Sequence, residues 1–378
     1  MYLLFGLGAF QSFVFSVLLL AKKENKQADK FLSAFFFMAA LYFLITYSYR
    51  FSIWREFPDI MIIYTLIFLS YGPLLLFYVK SILGNRITLK QIIPHLIPIV
   101  IVLIIIMPFF FMEYDKKLLC FTEKFIILPL SISIGTFLQY ISSPIYFGWI
   151  LIILKRHRLY VKNTFSYDEN INLNWMYILL IGGISIWMIE CLNVIALNFT
   201  DLEFPVMWNT SFYIKLSFLI FIMFMGYYGI NQGGIFSKMP SREQTKYTSK
   251  EKAKLVSDDS AINYIEELTN YMRNEKAYLN NELRIQDISI SLKIPIHVLS
   301  YIINSELNQN FYDFINSYRI KEVKNRLHNP EYNNLTIIAI AIDCGFNSKA
   351  TFNRLFKQYE GVTPSQFRKN ISVDFSDL

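Results

Sequence analysis

Apolar residues fill the first 230 positions in long stretches without charge, whereas they are scattered among polar residues in the rest of the chain. A helix needs about 20 apolar residues to cross the hydrocarbon core of a bilayer. Seven stretches are long enough, and the fifth has room to tilt or to kink at Pro144. The pattern therefore predicts seven membrane spans, at about residues 1–21, 31–49, 60–79, 92–112, 126–153, 174–197 and 211–230.

The composition supports this division of the chain. Of the 378 residues, 54% are hydrophobic and 17% are charged, a balance more apolar than that of ordinary soluble proteins. Residues 231–260 lose the apolar stretches and gain Gly, Ser, Lys and Glu, which is typical of a linker. We therefore predict a transmembrane region at 1–230, a basic linker at 231–260 and an aqueous domain at 261–378 with its core at 276–370.

The orientation of the spans follows from Lys and Arg in the loops, because these residues favour the cytoplasmic side. The first, third and fifth loops hold 11 of them, and the second, fourth and sixth hold 5. The lysines of the first loop follow the apolar run, which favours a retained first helix over a cleaved signal peptide. We therefore expect the N-terminus outside, and after seven crossings the residues beyond about 231 fall in the cytoplasm.

One acidic residue lies deep in a predicted span. Ionisable side chains inside a bilayer are costly and often functional, so Glu190 is a candidate for sensing a ligand or protons. In the alternative interpretation, Glu190 and Asn193 hydrogen-bond inside the helix bundle. Lys215, at the start of the seventh span, is either the partner of Glu190 or a lysine that extends to the membrane interface.

The chain shows no pattern of residues typical of catalysis or metal binding. Cys120, Cys191 and Cys344 lack both zinc-ligand spacing and the even number of a disulfide framework. We expect unpaired thiols rather than a bridge between Cys120 and Cys191. No nucleophile has a partnered base, and no pair of interrupted helices indicates a transporter. We therefore expect no enzymatic activity, no metal and no cofactor.

Short amphipathic helices begin after residue 261. RIQDISISL and IHVLSYIINSEL, within residues 284–307, are separated by a break at KIP, which predicts a helix-turn-helix. The second helix has an apolar face that we expect in the core, formed by Leu299, Ile302, Ile303 and Leu307. Its opposite face, which we expect to enter a major groove, holds His297, Ser300, Tyr301 and Asn304.

The same arrangement recurs farther along the chain. TIIAIAIDCGF is predicted to be a helix that ends near Gly345, and SKATFNRLFKQY is the next helix. Its apolar spacing predicts a buried stripe of Phe352, Leu355, Phe356 and Tyr359. The opposite face holds Lys349, Ala350, Asn353, Arg354 and Lys357. Such a face suits phosphates and base edges, since Arg reads guanine and Asn reads adenine, although a polar face can also be merely solvated.

Two further segments complete the pattern. The longer helix FYDFINSYRIKEVKNRL lies between the two units and is expected to fix their separation. After the second unit, TPSQF predicts a capping box, with Thr363 as N-cap, Pro364 in the first helical position and Gln366 three residues past the cap. Arg368 follows where it can contact phosphate.

Residues 276–370 resemble the DNA-binding domain of AraC-type (AraC/XylS) transcription regulators, most specifically in IAIDCGFNSKATFNRLFKQYEGVTPSQFR. The resemblance implies seven helices with two helix-turn-helix units, whose recognition helices occupy successive major-groove segments of double-stranded DNA. Gly345 matches the turn glycine of the family. The positions that the resemblance turns toward the bases are Lys349, Asn353 and Arg354 in the second unit and His297, Ser300 and Tyr301 in the first.

The first unit departs from the family pattern. Pro295 begins its recognition helix where the family usually has a capping hydroxyl, and the outward face of that helix carries no Lys or Arg. From residue 231 onward, 19 Lys and Arg stand against 17 Asp and Glu, so the net charge is small. We therefore expect weak sequence reading by the first unit and an affinity that depends on local geometry and on dimerisation.

The sequence thus predicts an all-α protein with a seven-helix transmembrane bundle and a cytoplasmic seven-helix domain. The membrane region is similar in architecture to the multi-span sensor regions that sometimes precede this DNA-binding domain, which implies a regulator in the bacterial inner membrane. The expected partners are double-stranded DNA, the lipid bilayer, a small-molecule or peptide signal and a second copy of the chain. The alternatives are a membrane sensor with a protein-interaction tail and a transporter or enzyme with a regulatory tail.

Overall fold

The computed structural model describes residues 2–23, 26–122, 129–169, 171–199, 204–231 and 258–374. Across these residues the fold is all-α, as predicted, and the described chain forms no β-strand. It divides into two compact units. Of the described residues, those up to Lys155 and those from Leu173 to Asn231 form the first unit, and those from Arg156 to Asn172 and from Asp258 onward form the second.

Apolar helices dominate the first unit. Its helices are α1 Tyr2–Leu20, α2 Gln27–Ser48, α3 Ile53–Glu56, α4 Ile60–Ile82, α5 Leu89–Phe110, α6 Tyr114–Thr122, α7 Leu130–Thr164, α8 Asn174–Phe199 and α9 Phe204–Asn231. The last turns of α7 belong to the second unit. Within the described residues, seven helices are long and apolar enough to cross a membrane, namely α1, α2, α4, α5, α7, α8 and α9. They correspond one to one with the predicted stretches, and the first residues of the predicted fifth span lie outside the described residues.

The first unit is apolar on its surface as well as in its core. Phe36, Phe43, Leu76 and Ile150 are fully buried in one cluster. The exposed face of α5 is also apolar, with Ile104 63% exposed, and an apolar face of this extent matches lipid tails better than water. The further exposed residues of that face are Leu96, Ile97, Val100, Ile101, Leu103 and Met107.

The structure places Glu190 of α8 near the partner named from the sequence. Glu190 and Lys215 are both partly buried and close enough to interact electrostatically. The Lys215 ammonium also lies 5.9 Å from the centroid of the Tyr49 ring, a cation–π distance. Lys215 is thus a neighbour of Glu190, while the sensing role of Glu190 and its hydrogen bonding with Asn193 both stay predictions. The three cysteines are free thiols.

Seven α-helices form residues 258–374 of the second unit. They are α10 Asp258–Asn274, α11 Ile285–Leu292, α12 Ile296–Tyr301, α13 Phe311–His328, α14 Ile337–Asp343, α15 Lys349–Glu360 and α16 Pro364–Asp374. Helix α12 continues as a π-helical turn over Ile302–Glu306, in which the Leu307 amide donates to the Ile302 carbonyl at 3.0 Å. The two predicted helix-turn-helix units are therefore α11 with α12 and α14 with α15.

Two apolar cores hold this unit together, and the long helix α13 contributes to both. Ile315 of α13 is fully buried in the first core beside Ile288 and Leu299. Val323, two turns later, is fully buried in the second core with Phe352. Burying a side chain of this size stabilises a fold by about 1.5–3 kcal/mol. Because one rigid helix spans both cores, it fixes the separation of the two helix-turn-helix units, as predicted.

Two residues predicted in the core are partly exposed. Tyr359 is 39% exposed, and its hydroxyl donates to the Asp313 carbonyl at 3.1 Å. The amphipathic Tyr ring covers the edge of the core while its hydroxyl stays outside. Leu307 is half-buried because the π-turn shifts it off the face that Leu299 occupies. Helical periodicity alone predicts neither deviation.

Candidate nucleic-acid interface

The turn of the second unit depends on glycine. Thr336 caps α14, since its hydroxyl oxygen accepts from the Ala339 amide at 3.1 Å. Helix α14 then ends, and Gly345 has φ +92°. A Cβ at this position would lie 2.7 Å from the Tyr278 carbonyl oxygen and 2.9 Å from that of Leu279. Both the left-handed backbone and the close approach therefore require glycine, which aims the chain into α15.

Helix α15 is well capped and strongly two-faced. The Ser348 hydroxyl accepts from the Thr351 amide at 3.1 Å, and Gly361 ends the helix with φ +74°. Phe352, Leu355 and Phe356 are buried, which turns the opposite face outward. That face carries the predicted residues Lys349, Ala350, Arg354 and Lys357, all exposed, and Asn353, half-buried. The structure thus brings all five together on one open helix face.

Arg354 is tied to the domain by a hydrogen bond. Its Nη2 donates to the Tyr312 hydroxyl oxygen at 3.1 Å, and burial raises the pKa of that tyrosine. Tyr312 therefore keeps its proton at neutral pH and donates it to Asp168 Oδ1 at 3.4 Å. This bond holds the exposed guanidinium in place on the outer face of α15.

The recognition helix of the first unit is shorter and lacks a side-chain cap. Pro295 occupies the N-cap position with φ −57°, and no side chain caps the first turn. The α-helical part spans six residues before the π-turn begins. Among the predicted residues, His297, Ser300 and Tyr301 are half-buried and Asn304 is exposed. The Asn304 amide donates to the Ser300 carbonyl at 2.7 Å, so part of this face bonds within its own helix.

The segment after the second unit forms the predicted capping box. The Thr363 amide donates to Gln366 Oε1 at 3.0 Å, and the Gln366 amide donates to the Thr363 hydroxyl at 3.3 Å. Arg368 donates from Nη1 to the Leu335 carbonyl at 2.8 Å and from Nη2 to that of Asn333 at 2.7 Å. A phosphate contact by Arg368 would have to compete with these bonds.

Comparisons with known proteins agree with this geometry. Residues 289–370 match the family model described as a helix-turn-helix domain. The chain is 32% identical over 107 residues to the Msm operon regulatory protein of Streptococcus mutans, covering 25% of this chain and 37% of that protein. It is 34% identical over 58 residues to the probable transcription factor PqrA of Proteus vulgaris, covering 15% of this chain and 45% of that protein. The C-terminal region is an AraC-type helix-turn-helix domain.

The family match lies within the AraC-type domain. The chain spans less than half the length of each of these two relatives. No solved structure matches the chain. The comparisons therefore support the helix-turn-helix units and say nothing about the apolar helices.

One buried charged residue of the AraC-type domain was not predicted from the sequence. Arg319 of α13 is only 1% exposed, and burial lowers its pKa to about 10, which leaves it charged at neutral pH. Nε donates to the Tyr278 carbonyl at 2.8 Å, and Nη2 donates to that of Asn280 at 2.7 Å. A signal was present, since Arg319 follows the buried Ile315 by four residues and therefore lies on the same helix face.

The segment 165–169 between α7 and α8 was also not predicted to have a role, because it holds no Lys or Arg and therefore did not enter the assignment of orientation. Phe165 and Ser166 are buried, and Phe165 forms an isolated antiparallel bridge with Arg284 of the AraC-type domain. The Ser166 amide donates to the Leu283 carbonyl at 3.1 Å. No local pattern in the sequence indicates such a contact, because the partners are more than a hundred residues apart.

Proposed function

We propose that this protein is a membrane-bound, sequence-specific DNA-binding transcription regulator. The observation that carries the proposal is the open face of α15, where Lys349, Arg354 and Lys357 are exposed in an AraC-type domain. The proposed segments are the transmembrane region at 1–230, the linker at 231–260 and the DNA-binding domain at 261–378. The names of the two similar proteins, an operon regulatory protein and a probable transcription factor, support regulation as the output.

The second unit supplies the main contacts in this proposal. Arg354 pairs with guanine and Asn353 with adenine, while Ala350 meets a thymine methyl group. Lys349 and Lys357 contact phosphates, which position the helix without reading sequence. The first unit contributes weaker contacts through His297, Ser300, Tyr301 and Asn304. Arg368 adds a phosphate contact when a phosphate replaces the backbone carbonyls that accept its hydrogen bonds.

The apolar helices support the membrane part of the proposal. Among the described residues, seven helices of sufficient length and apolar character precede the AraC-type domain. In a bacterial inner membrane, the loop charges favour a cytoplasmic location for that domain. A small-molecule or peptide signal acts by binding two states of the bundle with different affinity, at Glu190 or elsewhere. A homodimer would raise the effective concentration of the second DNA-binding domain at paired sites.

The test is a footprint of the full-length protein in lipid nanodiscs. Random duplex DNA serves first to select a preferred site, and protection of that site is then measured at two salt concentrations. The variant Lys349→Ala/Arg354→Ala removes two charges from α15. The matched control Lys321→Ala/Arg273→Ala removes the same two charge types from exposed positions on α13 and α10.

We expect the α15 variant to lose site-specific protection and the control to keep it. Arg354→Ala alone should weaken binding by about 1–3 kcal/mol and relax the preference at one base position. Equal protection by both double variants would contradict the proposal and favour a protein-interaction role for the domain.

A further inference from the structure

A short acidic segment lies directly on the AraC-type domain. We call residues Phe165–Glu169, between α7 and α8, the docking loop. The loop and the residues that it contacts in the AraC-type domain belong to the same compact unit, the second. The loop begins at the buried bridge between Phe165 and Arg284, where the Arg284 guanidinium also lies 5.4 Å from the centroid of the Phe165 ring. The loop is thus attached to the start of the first helix-turn-helix unit by backbone and side chain.

Ser166 is the anchor of the docking loop. Arg319 Nη1 donates to the Ser166 carbonyl and Nη2 to the Ser166 hydroxyl oxygen, each at 2.9 Å. The Asn316 side-chain amide donates to the same carbonyl at 3.1 Å. Ser166, Asn316 and Arg319 are each 1% exposed, so these bonds form away from water, where charge-assisted hydrogen bonds are strong. The loop therefore meets the middle of α13, between the two cores.

The acidic end of the loop reaches the DNA-facing helix of the second unit. Glu169 Oε1 accepts from the hydroxyl of Ser348, the N-cap of α15, at 3.2 Å. Asp168 Oδ1 accepts from the Tyr312 hydroxyl, which in turn accepts from Arg354 Nη2. Two carboxylates thus contact the start of α15 and, through Tyr312, the arginine that we assign to base reading.

The position of these carboxylates is the position that a DNA phosphate favours. The N-terminus of a helix carries partial positive charge, and it attracts phosphates and carboxylates alike. Burial raises the pKa of Asp168, while the nearby Arg354 opposes that shift. One carboxylate at the start of α15 and a second one near Arg354 repel an approaching phosphate backbone, and they occupy groups that would otherwise meet it.

We propose that the docking loop is an internal competitor of DNA, so that the acidic end of the loop and promoter DNA bind the start of α15 alternately. This inference rests on the proposed function, because it names how DNA binding by that same helix is regulated. When it is docked, the loop holds the second helix-turn-helix unit in a state of low DNA affinity. Released, it leaves Ser348 and Arg354 free for phosphate and base.

The covalent neighbours of the loop give it a route to the membrane region. Helix α7 ends at Thr164, one residue before the docking loop, and α8 begins at Asn174. Both helices are apolar enough to cross a membrane. A signal that changes the spacing or rotation of α7 and α8 therefore acts directly on both ends of the loop, without a separate messenger. The buried hydrogen bonds of Ser166 are the point at which such a movement of the helices is transmitted to the domain.

The first experiment neutralises the acidic end. Asp168→Asn/Glu169→Gln in the full-length protein in nanodiscs is compared with Glu266→Gln/Glu267→Gln, which removes two exposed carboxylates from α10. Both variants change the net charge equally. We expect the loop variant to bind the selected DNA site at least about fivefold more tightly than the control, a typical size for coupling between two binding events.

A second experiment holds the loop closed. Glu169→Cys and Ser348→Cys are combined in a protein with Cys120→Ser and Cys191→Ser, and a short bifunctional maleimide joins the two new thiols. We expect the cross-linked protein to lose about tenfold or more in DNA affinity. The control is Ser348→Cys alone, modified with a monofunctional maleimide, which separates loop closure from the bulk of the reagent.

The outcomes distinguish this inference from the proposed function. If Lys349→Ala/Arg354→Ala loses the DNA site while the loop variant binds no tighter than its control, the protein reads DNA and the docking loop is not a competitor. Weaker binding by the loop variant would also overturn the inference, since it would mean that the loop supports α15. If neither the unmodified protein nor the variant with the neutralised loop binds a specific site, both the proposed function and the inference fail.

Discussion

The first helix-turn-helix unit, residues 285–306, and the second, residues 337–360, bury similar apolar faces and expose different polar ones. Leu299 and Phe352 are both completely inaccessible to solvent in their own cores. The second unit presents Lys349, Arg354 and Lys357, whereas the sequence from residue 294 through residue 318 contains no Lys or Arg. The comparison teaches that the buried residues determine the fold of a unit, while the exposed residues determine what it can read.

The ends of the two recognition helices differ as much as their faces. Ser348 caps α15 through a side-chain bond, and Gly361 ends it in the left-handed conformation. Helix α12 has Pro295 in the N-cap position, where no side chain caps it, and it widens into a π-turn after Tyr301. A helix with fixed ends holds its side chains in fixed directions, which base reading requires.

The largest effect concerns the cores, where the two units should behave alike. Phe352→Ala should lower the opening free energy of the second unit by about 3–5 kcal/mol, and Leu299→Ala that of the first by about 2–5 kcal/mol, because each leaves a cavity. Hydrogen exchange of the full-length protein in nanodiscs measures both, from the amides of α15 and α12. A loss below about 1 kcal/mol for Leu299→Ala would show that the first unit is not tightly packed.

The two helix-turn-helix units should differ in their contribution to DNA affinity. Arg354→Ala should cost about 1–3 kcal/mol of binding free energy and relax one base position, whereas Tyr301→Ala should cost less than about 1 kcal/mol. Titration of the selected DNA site with each variant gives both values. An equal loss for the two variants would mean that the units share the reading, and the contrast drawn from their outer faces would be wrong.

A smaller effect concerns phosphate contacts. Lys349→Ala should reduce the slope of log affinity against log salt concentration by about 1, since one fewer counterion is released on binding. Ser300→Ala in the first unit removes no charge and should leave the slope unchanged. Measuring affinity at four or five salt concentrations checks both. An unchanged slope for Lys349→Ala would place that lysine away from the phosphates.

The sequence predicted the helices of both units because their signals are local. Apolar periodicity located α12 and α15, and Gly345, Thr363 and Gln366 have the turn and capping roles that their spacing indicates. The partial exposure of Tyr359 was missed because periodicity assigns a face and cannot show where a core ends. The π-turn after Tyr301 was missed because nothing in that apolar run marks the change of helix type.

The docking loop lay beyond prediction for a different reason. Its anchor joins Ser166 to Arg319, residues separated by 153 positions in the chain. Contacts of that range depend on the packing of the whole unit and leave no periodic trace. The predicted α15 face, by contrast, was found because its residues are neighbours on one helix. The exposed polar face of α15 could therefore be predicted from the sequence, and the groups that contact it could not.

The smallest expected effect is at the start of the first recognition helix. Pro295→Ser introduces a hydroxyl at an N-cap whose backbone, with φ −57° and ψ 141°, suits that role. A capping bond stabilises a helix by about 1 kcal/mol, and the greater freedom of serine in the unfolded chain offsets part of that gain. The net increase in the opening free energy of α12 should therefore stay below about 1 kcal/mol, measurable by hydrogen exchange. DNA affinity should change little, because the cap adds order without adding charge. A rise in sequence-specific affinity as large as the loss from Arg354→Ala would instead show that the missing cap, and not the uncharged face, limits reading by the first unit.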